Sequence, residues 1–312
     1  MKQLRSERGQ TAVLTVVFLA ALLGMAALVL DVGSWMRAQR ETQAAADASA
    51  LAAAQALPES PAQADALAAS YLAKNGGGTS EVTFASNNTA NDTVSVRVER
   101  NTPGFFAKLF GVDSVDVDAK ATARATGLDE AKWVAPIVVN IQHPKLNCGS
   151  SGGKPVPCFG DETELVLEHL HKPGSGDAAG AFALINLDRS DSGSVGGSTV
   201  GEWIRSGFDQ YMPLGDYTSV PSAMFNDSHV KGSLDLRMND VLLFPIYKTI
   251  KGSGSGAVYD IVGWVGFRVT NFTAGGSTGK VMGSFTKVIW EGVGSESGAG
   301  LNYGVRAIQL VE

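Results

Sequence analysis

The chain has 312 residues, of which 44% are hydrophobic and only 18% charged, with 25 Lys and Arg against 31 Asp and Glu for a formal net charge of −6. A pI near 5.3 excludes a binder that holds nucleic acid by neutralising phosphates, and the low charge content excludes a chain dominated by a charged disordered tail. Glycine is uneven, with 9 of 37 before residue 128 and 28 after it, so an alanine-rich front is joined to a glycine-rich back.

No charge lies between Arg8 and Asp31, and residues 11–30 read TAVLTVVFLAALLGMAALVL. Twenty residues at 1.5 Å each reach about 30 Å, the thickness of a hydrocarbon core. A backbone in lipid must satisfy its own polar groups, so the run is expected to be a single transmembrane helix. Lys2, Arg5 and Arg8 precede it against one Glu7, whereas the chain beyond carries 22 basic and 30 acidic residues. That asymmetry predicts a cytoplasmic N-terminus and an extracytoplasmic remainder. A cleaved signal peptide has an apolar core of about 7–15 residues and a small-residue cleavage site. This run is longer and LDVGSW supplies no such site, so a retained anchor is expected.

The helix is expected to continue outward as a rod, because 15 of the 32 residues from 38 to 69 are alanine, the best helix former. Pro58 should end it near Leu57. Ser60 and Pro61 form an N-cap and N1 pair for a second helix running to Lys74, closed by Asn75 and Gly76–Gly78. Residues 81–85 and 93–100 read as strands joined by SNNTAND, and residues 112–125 alternate again. Between them PGFFAKLFG predicts a helical turn whose Phe105, Phe106, Leu109 and Phe110 make one buried core face.

Beyond GLDEAK, apolar or alternating runs separated by Gly, Ser and Asn predict a mainly antiparallel sheet, sandwich or barrel. One helix should follow Ser198 and Thr199, with Thr199 and Glu202 as a capping box. Cys148 and Cys158 close a Gly/Pro-rich loop outside the membrane and read as a disulfide. The fold class expected is α+β. It comprises a basic leader (1–10), a transmembrane helix (11–30), an Ala-rich rod with a second helix (31–74), a small α/β unit (75–127) and a β-rich extracytoplasmic domain (128–312).

The stretch ERGQTAVLTVVFLAALLGMAALVLDVGSWMRAQRETQAAADASALAAAQAL resembles the N-terminal region of TadE/TadG-like proteins of the tight-adherence, Flp-type pilus system. Arg8-Gly9 before the apolar run, Asp31-Val32-Gly33 closing it and the Asp47-containing alanine stretch carry the likeness. FFAKLFGVDSVDVDAKATARA extends it to about residue 126. More loosely, Phe182 to Asp188 with Trp203-Ile204 resembles extracellular regions attached to that anchor in some bacterial relatives. The resemblance implies a pilus-assembly or minor-pilin-like envelope protein, partnered by the cytoplasmic membrane and other pilus-assembly proteins. It also implies a candidate prepilin-peptidase site at Gly9–Gln10. True pilins carry a glutamate five residues beyond the cut; Leu14 stands there, which favours a membrane-held accessory over a filament subunit.

Chemistry-bearing motifs are sparse. Asp188, Ser190 and Ser192 spell D-x-S-x-S, an oxygen-ligand pattern for Mg²⁺ or Ca²⁺ found in the von Willebrand A modules of some TadG-like proteins. Such a module alternates strands with helices, whereas the following residues read mostly as strands, and Ser/Asp clusters are also ordinary turn chemistry. Glu164, Glu168, His169 and His171 offer Zn²⁺ ligand types without an identified third ligand set. No H-E-x-x-H or P-loop motif occurs, and GSGSG at 252–256 lies between strands as a hairpin loop. A structural, non-enzymatic protein without cofactor or nucleic-acid partner is expected, with Asp31 and Asp47 as candidate helix-interaction positions. The alternative is an adhesive or ligand-binding surface module on the same anchor.

Overall fold

The computed structural model describes residues 8–151, 154–167, 180–189, 195–275, 279–295 and 301–311. The chain divides into two compact units, Met1–Arg124 with Gln309–Glu312, and Ala125–Ile308.

Helix α1 (Arg8–Ala54) runs 47 residues without interruption, so the apolar run and the alanine rod are one helix. Its outer half is amphipathic in an unusual way, with small residues on the buried stripe: Thr42, Ala45, Ala46, Ser49, Ala50 and Ala53 are all fully buried. Their spacing is that of one helix face. Helix α2 (Pro61–Lys74) opens as its sequence predicts, with Ser60 Oγ accepting the Gln63 N–H and Pro61 in the first turn. Its Ala64, Ala68 and Leu72 are buried where it packs along α1.

Under the helices lie β1 (Thr79–Ala85), β2 (Thr93–Pro103) and β3 (Ser114–Thr126), paired antiparallel in that order. Alternation sorts the faces: Val94, Val96 and Val98 of β2 and Ala119, Ala121 and Ala123 of β3 are buried, while Arg97, Glu99, Asp118 and Lys120 point out. The β1–β2 loop folds around Asp92, whose carboxylate accepts the N–H groups of Asn87, Asn88 and Thr89 and the Thr93 hydroxyl.

The aromatic turn departs from expectation. Ala107–Phe110 is a 3₁₀ turn closed by Gly111 at φ 85°, but Phe105, Phe106, Leu109 and Phe110 are exposed rather than core. The apolar spacing fits an α-helical face, but the turn is a 3₁₀ one with three residues per turn, so these side chains do not form the inward face that the spacing predicts.

The second unit is built on a closed ring of six strands: β4 (Ile137–Asn140), β5 (Glu162–Leu167), β6 (Ala181–Leu184), β7 (Val241–Lys251), β8 (Val258–Thr273) and β9 (Lys280–Thr286). Around the ring the order is β8-β7-β4-β6-β5-β9 and back to β8. The pairings are antiparallel except β4 with β7 and β5 with β6. Ring closure leaves no open edge between these strands.

Every ring strand supplies inward residues to one core, among them Ile137, Leu165, Phe182, Phe244, Phe267 and Phe285. Alternate residues such as Val138, Ala183, Leu243 and Trp264 build a second core on the other face. Helices α3 (Gly197–Ser206) and α4 (Ser228–Leu236) pack on each other and send Val200, Ile204, Val230 and Leu234 into the first core. Gly201 permits their approach: a Cβ there would stand 2.8 Å from the His229 carbonyl oxygen.

The two helices depart from expectation. Helix α3 caps on Gly196 without a side-chain bond, and Glu202 turns instead to Arg205 and Ser206, so Thr199 and Glu202 form no capping box. Helix α4 has no counterpart among the expected elements, being nine residues with Gly232 inside. GSGSG does join paired strands, with Lys251 opposite Val258. Cys148 and Cys158 are disulfide-bonded, their Cα atoms 5.7 Å apart.

Candidate functional site

From Thr11 to Leu30, helix α1 is covered by almost none of the described residues: Leu14, Phe18, Leu23 and Leu30 are more than half exposed. Among the described residues it is the one helix long and apolar enough to cross a membrane. A surface of that size is unsustainable in water and suits lipid. Leu14 stands five residues beyond Gly9 with no carboxylate, and the side chains of Gly9 and Gln10 lie outside the described residues.

Where the apolar run ends, the chain inverts its preference. Asp31 is only 2% exposed, and its carboxylate accepts the backbone N–H groups of Phe105 and Phe106, each at 3.0 Å, and of Ala107. It therefore caps the 3₁₀ turn 74 residues away in sequence, using the N–H groups that such a turn leaves unpaired. Burial works to raise its pKa, but the three N–H donors outweigh it and hold the carboxyl below the ordinary carboxylate value. One turn along, Trp35 lies beside Gly104, where a Cβ would stand 3.6 Å from the indole and 2.9 Å from the Val112 carbonyl oxygen. Further out, the Gln39 amide donates to the Asp118 carbonyl at 2.9 Å. Gln43 bridges Asp47 at 2.7 Å and the Lys120 carbonyl at 3.3 Å. Asp31 and Asp47 thus both have partners inside the unit; the 74-residue separation hides the first from any reading of local pattern.

The metal candidates fare differently. Asp188 is exposed after β6, while Ser190, Ser192, Glu168, His169 and His171 lie outside the described residues. Glu164 pairs with Lys280 at 2.8 Å across β5 and β9. Among the described residues no three His, Cys, Asp or Glu side chains stand together as a metal ligand set.

A different cluster, unmarked by any motif, lies in the second unit. Trp133, Trp203 and Trp290 line a cleft with Ala135, Ser206 and Gly207. Trp133 sits at φ 58°, a conformation costly for a bulky residue, and its indole N–H donates to Glu291 at 2.8 Å. The Trp290 indole N–H donates to the Lys132 carbonyl at 2.6 Å. Lys132 lies over the Trp133 ring, 4.4 Å from its centroid, and pairs with Asp209 at 2.9 Å. Gly207, at φ 80°, is obligatory here, since a Cβ would stand 2.6 Å from the Trp133 Cα.

Residues 9–56 match the Tad family model, described as Flp pilus-assembly TadE/G-like. The matched segment is helix α1 with the turn after it: the membrane-length run, Asp31 and the alanine stripe. The match is confined to this N-terminal segment; it supports a pilus-assembly-related envelope protein, and the apolar helix suggests a membrane anchor ahead of a larger C-terminal portion. Neither the curated proteins nor the solved structures contain a match to the chain.

Proposed function

We infer that the chain is a membrane-held structural accessory of Flp-type pilus assembly and not an enzyme. The observation that carries this is the family match across residues 9–56, which covers a helix exposed and apolar in its first half and buried among alanines in its second. Lys2, Arg5 and Arg8 support a cytoplasmic N-terminus, with the chain beyond the apolar run outside the cytoplasm. Leu14 favours an accessory role: the glutamate that registers pilin helices is missing, and an intramembrane ion pair needs both members. The leader up to Gly9 is then retained. The partners are other pilus-assembly or pilin-like proteins in the same membrane. Deletion of the gene in a piliated host should abolish filaments, with the full chain restoring them; normal filaments after deletion would refute the role.

The tryptophan cleft favours a second reading, a ligand-binding outer unit, because three indoles lining one cleft with fixed polar groups suit planar or sugar-like ligands. Retained filaments with lost surface attachment would select it.

A further inference from the structure

The turn of the first unit carries five exposed apolar side chains within residues 105–112. Phe105, Leu109 and Phe110 are 67, 82 and 80% exposed, with Phe106 and Val112 each at 41%. Leaving so many large apolar side chains in water is unfavourable, so their outward placement marks a surface meant to be covered.

Its position identifies what covers it. The turn cannot swing freely, because Asp31 holds the N–H groups of Phe105, Phe106 and Ala107. Asp31 is the residue that follows the twenty-residue apolar run. When residues 11–30 fill the hydrocarbon core, Asp31 lies at its boundary, and a turn bonded to Asp31 lies in the interfacial layer. Trp35, packed at Gly104 one helical turn beyond, belongs to the residue type that populates this layer. Lys108, exposed within the turn, has a stem long enough to keep its ammonium among phosphates while its neighbours enter the acyl region.

We propose that residues 105–112 form a membrane-contacting collar, which inserts Phe105, Phe106, Leu109 and Phe110 into the leaflet from which helix α1 emerges. The occupant is the lipid surface itself, through contact continuous with that of the transmembrane run. A single helix is free to rotate and bob; a second insertion fastened to it by Asp31 fixes its depth and rotation, and with them the attitude of the first unit. The proposal rests on the anchored reading given above.

The test uses the full chain in phosphatidylcholine–phosphatidylglycerol vesicles, with an environment-sensitive fluorophore on single added thiols, the native cysteines being paired. Leu109→Cys reports the collar, with Phe110→Cys as a second reporter should the first perturb folding. Val17→Cys reports the anchor and Gln55→Cys the outer end of the rod. The collar labels should be blue-shifted, quenched by nitroxide-bearing lipids and shielded from aqueous iodide, as at Val17, while the Gln55 label is quenched by iodide alone. A lipid-quenched Val17 label beside collar labels open to iodide would overturn the collar and leave the anchor standing. A Val17 label that lipids do not quench would overturn both.

Discussion

At Asp31, one carboxylate joins the last turn of a membrane-length run to a loop far away in sequence. Its partners are all backbone donors, so the charge is useful only while the carboxyl is ionised. Its folded pKa lies below the ordinary value, and its contribution is therefore complete above the usual carboxylate range and fades as pH falls through the lower folded value. Amide exchange at Phe105, Phe106 and Ala107 should show protection factors that are constant from neutral pH down to about pH 5 and collapse only below about pH 4. Asp31→Ala should lose that protection at every pH, and Asp31→Asn should keep a part of it, having one accepting oxygen and no charge. Unchanged protection in Asp31→Ala would show that the turn holds itself.

His143 behaves in the opposite sense. It is 2% exposed, its Nδ1 accepts the Lys145 N–H at 3.1 Å, and its ring meets the Phe285 ring edge-on. Burial, helped by the Lys145 charge, pushes its pKa down to about 4. The unfolded chain then binds the proton more readily than the folded one, so stability is full above pH 6.5 and falls between there and pH 4, by about 3 kcal/mol. Urea titrations across that window should show this slope, and His143→Asn, which keeps an acceptor for the Lys145 N–H, should flatten it. An equal slope in the variant would assign the loss to other groups.

Among the elements, α2 and the strands of the first unit were legible because their signals are local: Ser60 and Pro61 specify a start, and period-two alternation in β2 and β3 specifies faces. The six-stranded ring was legible only as a class, since punctuated short strands suit a sheet, a sandwich or a barrel alike. Pairings such as Phe267 with Phe285, which close it, have no local trace. The aromatic turn defeats pattern reading for a physical reason: apolar side chains look the same in sequence whether protein or another apolar phase covers them. The alanine stripe makes a sharper claim, that small size is required where α1 meets α2 and β2. Ala50→Leu should overfill that contact and cost about 1–3 kcal/mol in urea unfolding, whereas Ala44→Leu, on the exposed face, should change stability by less than about 0.5 kcal/mol. Equal effects would mean the stripe tolerates bulk.

Across the whole molecule, helix α1 has two characters: its first half carries an apolar surface, suited to lipid, that almost none of the described residues covers, and its second half packs into the core of a folded unit. The candidate site was legible to the same degree. The anchor and its family likeness were plain from residues 7–57, because a run of twenty uncharged, mostly apolar residues suits little besides a lipid core. The collar and the tryptophan cleft were hidden, because each depends on residues that meet only in the fold.

The most direct measurement is where the intact chain resides in a piliated host, followed by immunoblot through sheared filaments, soluble fraction and membranes washed first with salt and then with alkaline carbonate. Hydrophobic burial of the run, unlike ionic attachment, survives both washes. The chain should remain wholly in the washed membrane pellet and be released only by detergent. Recovery in the sheared filaments, or of intact chain in the soluble fraction, would contradict a membrane-held accessory.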